Sequence, residues 1–321
     1  MRILFVTSNR VGDAILSTGM VDYWLRHNPG ARITVACGPA AANLFSATPG
    51  VRPIIPMVKK PLALHWLNLW RRTVSRRWDL VADLRGSALG RFLNAGQRIV
   101  LKSDGGRDHR VVHIASQFGL REAPPAPRVH ISSGHRSAAM ELIPAGGPVL
   151  AIGPTANWGG KQWPAERFAA LVGALTAPGG ILPGARVAVF GAENERDMAA
   201  PLLNAIPRER RIDLVGQTDL LTAYACFERC ALYVGNDSGL MHLAAASGMP
   251  TLGLFGPSKV ELYGPWGANA AAVRTDLSYD EILAQPGYDH RKSDTHMGSL
   301  SVEKAVAAAE ALWRRGAGAV A

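Results

Sequence analysis

Short apolar runs bounded by Gly, Pro or polar turns recur along the 321-residue chain, and stretches with helical periodicity separate them. From the N-terminus this pattern predicts a strand over Arg2–Thr7, a helix reaching His27, a strand over Arg32–Ala36 and a helix after Pro39. A buried strand from Trp78 to Asp83 then ends in the polar turn Leu84-Arg85-Gly86. The alternation restarts with strand Val149–Ile152, a helix from Pro164 and strand Arg186–Phe190. Strand Leu232–Val234, a short helix from Gly239 to Ser247 stopped by Gly248 and Pro250, and strand Thr251–Leu254 follow. An alanine-rich helix over Ser301–Arg315 closes the series. Strands alternating with helices in this way predict an α/β protein built on parallel sheets.

A chain of this length is too long for one ordinary core and suits two α/β domains. Pro and Gly are dense from Ile143 to Pro148, and the boundary is placed there, with domains over 1–146 and 147–321. Hydrophobic residues make up 48% of the chain and no apolar run is long enough to span a bilayer. The N-terminus runs straight into a strand, so a cytoplasmic protein is expected. Cys37, Cys226 and Cys230 form no CxxC pair and read as buried thiols rather than as a disulfide or metal site.

Charge changes the picture, because it is uneven. The net +10 is concentrated in residues 1–148, where 20 Lys and Arg face 8 Asp and Glu, a balance of +12. Between Tyr23 and Trp78 there is no acidic residue. Such a field favours an anionic partner: nucleic acid, an acidic membrane surface or a phosphorylated glycolipid. Within that stretch Leu62, Trp66, Trp70, Val74 and Trp78 recur every four residues beside Arg71, Arg72, Arg76 and Arg77. The pattern fits a basic helix lying in a membrane interface, and equally a crossover helix with its stripe on the sheet. The aromatics form no recognisable RNA-stacking platform, so nucleic acid is not expected.

Candidate chemistry gathers at strand ends. Asp237-Ser238-Gly239 opens the short helix with free N–H groups, where a diphosphate fits and where a simple cap is the competing reading; His242 lies one turn further on. The first strand leads into Gly12-Asp13 without the G-x-G-x-x-G spacing of a dinucleotide site, and Asp13 stands where a carboxylate caps a helix or faces a cleft. Asp83 and Arg85 would face the same place, as acceptor contacts or as members of a turn. Lys161, in a glycine-containing loop before a helix, suits phosphate neutralisation or plain solvation. Glu193 and Glu195 are placed for ribose hydroxyls or for compensating a helix dipole. No clustered ligand set points to a metal, no cofactor is expected, and Glu261 to Gly298 gives no assignment.

The run Asp237-Ser-Gly-Leu-Met-His242-Leu-Ala-Ala-Ala, followed by Gly248-Met-Pro and Leu254-Phe-Gly-Pro-Ser258, resembles the signature of the ADP-heptose:lipopolysaccharide heptosyltransferases of glycosyltransferase family 9. The resemblance covers nearly the whole chain and is weakest from Pro39 to Pro148. It implies a GT-B fold: two Rossmann-like doubly wound domains facing a central cleft, the last helix packing at their junction. It implies that Asp13 is the catalytic base, that Lys161 and the N–H groups of Ser238 and Gly239 meet the diphosphate, and that Asp237 holds sugar hydroxyls, with His242 beside them. Thr155 and Asn157 would add polar contacts, Glu195 rather than Glu193 would hold the ribose, and Thr218 would lie by adenine. The implied reaction is metal-independent, inverting transfer from ADP-L-glycero-D-manno-heptose to the Kdo or heptose of the inner lipopolysaccharide core, an anionic glycolipid reached at the cytoplasmic surface of the inner membrane. The alternatives are a relative using a UDP-hexose or UDP-N-acetylhexosamine, an epimerase of similar fold, or a non-catalytic membrane-binding protein with a vestigial site.

Overall fold

The computed structural model describes residues 1–286, 288–289, 292 and 294–318, so His290 and Arg291 of the unassigned region lie outside the described residues. The chain divides into two compact units, Met1–Ser132 and Ser133–Ala321. The first carries five parallel strands: β1 (Arg2–Val6), β2 (Arg32–Cys37), β3 (Val51–Pro56), β4 (Trp78–Asp83) and β5 (Ala95–Val100), in the order β3-β2-β1-β4-β5. The apolar run of β1 does not alternate, because a parallel strand between two helical layers is buried on both faces; Ile3 to Val6 are fully enclosed. With β2 on one side of β1 and β4 on the other, the strand order reverses there. In a doubly wound sheet the carboxyl edge at such a reversal is where a ligand crevice ordinarily forms.

The second unit carries six parallel strands: β6 (Val149–Gly153), β7 (Arg186–Gly191), β8 (Arg211–Val215), β9 (Leu232–Asn236), β10 (Thr251–Phe255) and β11 (Ala270–Arg274), in the order β11-β10-β9-β6-β7-β8. This is the doubly wound order, with its reversal between β9 and β6. Leu150, Ile152, Val187, Val234 and Leu254 form its core with Phe168 and Leu312 from the covering helices. One register row is glycine on three adjacent strands: Gly153 pairs with Gly235, and Gly235 with Gly253. A Cβ at Gly253 would meet Met241 Sδ at 2.4 Å, so the missing side chain lets the helix Gly239–Ala246 sit close on the sheet.

The contact division falls between Ser132 and Ser133, ahead of the 146/147 boundary expected from the Pro/Gly cluster. The reason is the helix Ser133–Leu142, which packs on the helix Leu220–Phe227, while Arg229 Nε donates to the Ile143 carbonyl at 2.7 Å. The last helix, Val302–Gly318, buries Ala305, Ala309 and Leu312 against the second unit's own β10, β11 and helix Ala165–Thr176.

The tryptophan stripe resolves into two parts. Trp78 is buried at the head of β4, its indole N–H donating to the Thr73 carbonyl at 3.0 Å, and Trp66, Trp70 and Val74 lean on the same core from the helix Leu64–Thr73. The stripe thus serves as a crossover face. What remains outward is leucine: Leu62 is 93% exposed and Leu64 and Leu67 are exposed beside it. Among the described residues no helix is long and apolar enough to cross a membrane. Cys37 and Cys226 are buried free thiols, and burial pushes both up to about 12.

Candidate active site

In the first unit, Asp13 stands in the first turn of the helix Val11–Leu16, directly after β1, and its carboxylate accepts from the Ser8 hydroxyl at 3.3 Å. No side chain caps this helix, so its opening N–H groups favour the negative charge beside them. Across the reversal, Asp83 ends β4 and is fully enclosed. Its oxygens accept from the backbone N–H of Arg85 at 2.8 Å and of Ser87 at 2.9 Å, and from the Ser87 hydroxyl. A carboxylate bonded in this way within its own turn shapes that turn. Arg85 is what the turn presents. Its guanidinium lies 4.8 Å from the Trp66 ring centroid, and burial lowers its pKa against the opposing pull of Asp83. Arg71, Arg72, Arg76 and Arg77 are exposed beyond it.

The end of β5 adds a feature the sequence marked only as a basic loop. A cavity of about 600 Å³ opens there, lined by Lys102, Asp104, Arg107, Asp108, Gln117 and Arg121. Asp104 accepts from the N–H groups of Gly106 and Asp108 at 2.8 and 3.1 Å, and Arg121 grips Asp108 with both fork nitrogens. Both lining acids are thus engaged, and Lys102 and Arg107 give the cavity its positive character.

In the second unit the carboxyl edge holds most of the expected donor residues. Lys161 ends the turn Gly159–Lys161, and its Nζ reaches Asp237 Oδ2 at 2.5 Å, joining the loop after β6 to the loop after β9. Asp237 is buried and Lys161 half-buried, so the pair is partly desolvated and the ammonium keeps further N–H donors. Ser238 takes the N-cap position in an extended conformation without capping the helix with its own hydroxyl, which leaves the Gly239 turn open to an acceptor. His242 is buried one turn on. Thr155, enclosed, donates to Glu195 Oε2 at 2.8 Å, and the Ala192 N–H donates to the same oxygen at 2.9 Å, so Glu195 ties the β7 turn to the β6 loop. Asn157 is exposed, and Thr218 is half-buried one residue before Asp219, the N-cap of the helix Leu220–Phe227.

Two residues escaped the sequence reading. Asn236 is fully buried at the end of β9; its amide oxygen accepts from the Trp163 N–H at 3.1 Å and its amide nitrogen donates to the Pro154 carbonyl at 2.7 Å, clamping the β6 loop. Tyr233 is enclosed beneath the same loops, and the glycine row was the signal for it. The unassigned region also finds a place: Thr295 donates to the Gln162 carbonyl at 2.5 Å, the His296 N–H to the Gly160 carbonyl at 3.0 Å, and the Trp158 indole to the Lys292 carbonyl at 2.8 Å. This segment backs the loop that carries Lys161.

Two units, each built on a doubly wound parallel sheet, are the architecture of the GT-B class. The model for glycosyltransferase family 9 (heptosyltransferase) matches residues 107–285. The chain is 34% identical over 311 residues to lipooligosaccharide heptosyltransferase 2 of Haemophilus influenzae, covering 85% of this chain and 88% of that protein. Among solved structures, the ADP-heptose lipopolysaccharide heptosyltransferase II of E. coli superposes with a TM-score of 0.75 at 22% identity, over 98% of this chain and 99% of that one. An E. coli heptosyltransferase solved with ADP gives 0.71 at 17% identity, over 97% and 100%. The chain belongs to glycosyltransferase family 9.

Proposed function

We propose that this enzyme transfers a heptose from ADP-L-glycero-D-manno-heptose, with inversion, to a sugar of the inner lipopolysaccharide core. The observation that carries the reading is the cradle of Lys161, Asp237 and the Ser238-Gly239 helix start. The diphosphate lies on the helix N–H groups and the ammonium, which meet negative charge as ADP departs. Asp237 accepts from donor hydroxyls, His242 supports the same turn, and the adenosine follows the edge past Glu195 and Thr218, with Thr155 and Asn157 on the facing loop. Asp13 takes the proton from the acceptor hydroxyl as that oxygen attacks the anomeric carbon. The Ser8 hydroxyl, donating at 3.3 Å, steadies the carboxylate until then. ADP rather than UDP is supported by the likeness to the ADP-heptose lipopolysaccharide heptosyltransferase II of E. coli. Incubating the purified protein with ADP-heptose, and in parallel with UDP-glucose and UDP-N-acetylglucosamine, with deacylated inner core tests it. Transfer from ADP-heptose alone, with an inverted anomeric linkage by NMR, is expected; transfer from a UDP-sugar instead overturns the donor assignment.

The acceptor belongs to the first unit in this reading, with Arg85 and the cavity of Lys102 and Arg107 facing its anionic groups. A peripheral position at the inner leaflet is part of the proposal. It is supported by the outward Val58, Leu62, Leu64 and Leu67, collared by Lys59, Lys60, Arg71 and Arg72 with Arg76 and Arg77 behind, in a stretch without acids. Replacing Arg71, Arg72, Arg76 and Arg77 by Gln is expected to abolish sedimentation with anionic vesicles, since each basic residue contributes about 1 kcal/mol at such a surface. Leu62→Ser with Leu64→Ser, in a chain that keeps these arginines, should weaken the sedimentation that remains at high salt, and transfer to a soluble acceptor should stay unchanged in both variants. Unaltered vesicle binding would remove the membrane from the account.

A further inference from the structure

Tyr233 lies on β9, the strand at the reversal of the second sheet, and none of its surface reaches solvent. Its ring meets Phe227 edge-on, with centroids 5.5 Å apart, and extends toward the carboxyl edge across two glycines. A Cβ built on Gly153 would stand 1.9 Å from the tyrosine hydroxyl oxygen, and one on Gly235 would stand 2.4 Å away. The paired glycines of β6 and β9 thus form a slot that only a long flat side chain fills, and the hydroxyl at its tip arrives under the loop that begins the helix Gly239–Ala246.

Phenylalanine would fill the slot as well by packing alone. A phenol oxygen taken fully out of water costs free energy unless it is hydrogen-bonded. Here it faces the Ser238 side chain, yet neither Tyr233 Oη nor Ser238 Oγ has a hydrogen bond of normal geometry. Burial pushes the phenol well above its ordinary pKa, the Ser238 hydroxyl pulling against this and the Glu195 charge adding to it. Tyr233 therefore stays protonated and can serve as a donor. A serine hydroxyl has one hydrogen and two acceptor lone pairs, so one that accepts from below donates elsewhere, and more strongly for having accepted. An acceptor that completes this chain would lie above Ser238, at the uncapped start of the helix.

We propose that Tyr233 is a positioning residue of the donor site: its buried hydroxyl donates to Ser238 and so turns the serine hydroxyl outward as a donor to the diphosphate of the nucleotide sugar. This rests on the nucleotide-sugar reading above. No bond is broken in the step; binding completes a chain of hydrogen bonds from phenol to serine to phosphoryl oxygen. Tyr233 never touches the ligand, and Gly153 and Gly235 are required because the chain runs through the space their side chains would occupy.

The test uses Tyr233→Phe, Ser238→Ala and the double variant of the full chain, with ADP titrated calorimetrically and donor and acceptor KM measured separately. Tyr233→Phe is expected to keep the circular dichroism and melting temperature of the parent while ADP affinity falls roughly two- to twelvefold, the scale of one hydrogen bond between neutral groups. Donor KM should rise, acceptor KM should not move, and the double variant should bind no more weakly than Ser238→Ala. Parental ADP affinity in Tyr233→Phe, losses that add in the double variant, or a loss explained by a lower melting temperature would each overturn the role of Tyr233 and leave the donor site standing. A parent chain that binds no ADP would instead remove the donor reading, and this inference with it.

Discussion

Asp13→Asn is expected to bind ADP like the parent and to lose sugar transfer by roughly 10²- to 10⁴-fold, the usual contribution of a general base. The two side chains have the same shape, and an amide oxygen still accepts from the Ser8 hydroxyl that now reaches Asp13 at 3.3 Å. The local cost is confined to the first turn of the helix Val11–Leu16, where losing an anion near the helix N-terminus destabilises by about 0.3–1 kcal/mol. The residues proposed to hold the donor stand on another unit of the chain, so nucleotide affinity has no reason to change. Calorimetry with ADP beside a steady-state transfer assay separates the two effects. Turnover near the parental rate would discard Asp13 as the base.

Lys161→Ala should show the opposite signature, with ADP affinity lost first. A hydrogen bond to a charged group contributes about 1.5–3 kcal/mol, which corresponds to roughly 10- to 150-fold in the dissociation constant. A second consequence follows from its partner. Asp237 is buried, and without the ammonium its carboxylate remains enclosed and unpaired, a situation that lowers stability by several kcal/mol for a fully buried pair and less for this partly exposed one. Adding Asp237→Asn removes the stranded charge, so the double variant should regain melting temperature without regaining ADP affinity. If stability and affinity recovered together, Lys161 would be a structural partner of Asp237 with no part in holding phosphate.

How much of this was legible in advance differs from one element to the next. β1, β6 and β9 were readable because strands buried on both faces leave unbroken apolar runs between turn residues. The start of the helix Gly239–Ala246 was readable for a related reason: a helix that begins at a strand end with open N–H groups needs a small residue such as Gly239 and a short polar neighbour such as Ser238. The boundary was not, since Ile143–Pro148 carries every compositional mark of a linker, whereas Ser133–Leu142 is assigned by the packing of a helix face that composition does not reveal. Asp83 could be read as an acceptor contact or as a member of a turn, and the N–H groups of Arg85 and Ser87 that bond its oxygens come together only once that turn is folded. Asn236 and Tyr233 were passed over because a strand reading treats each side chain as core filler. Their polar atoms matter through partners on other strands, a relation that exists only after the sheet is assembled.

The central claim concerns where the diphosphate rests, and a crystal structure of the protein with a non-transferable ADP-sugar measures it most directly. Phosphoryl oxygens are expected at about 3 Å from the Ser238 and Gly239 N–H groups and from Lys161 Nζ, ordinary hydrogen-bond distances. A nucleotide bound with its diphosphate away from the start of the helix Gly239–Ala246 would contradict the account.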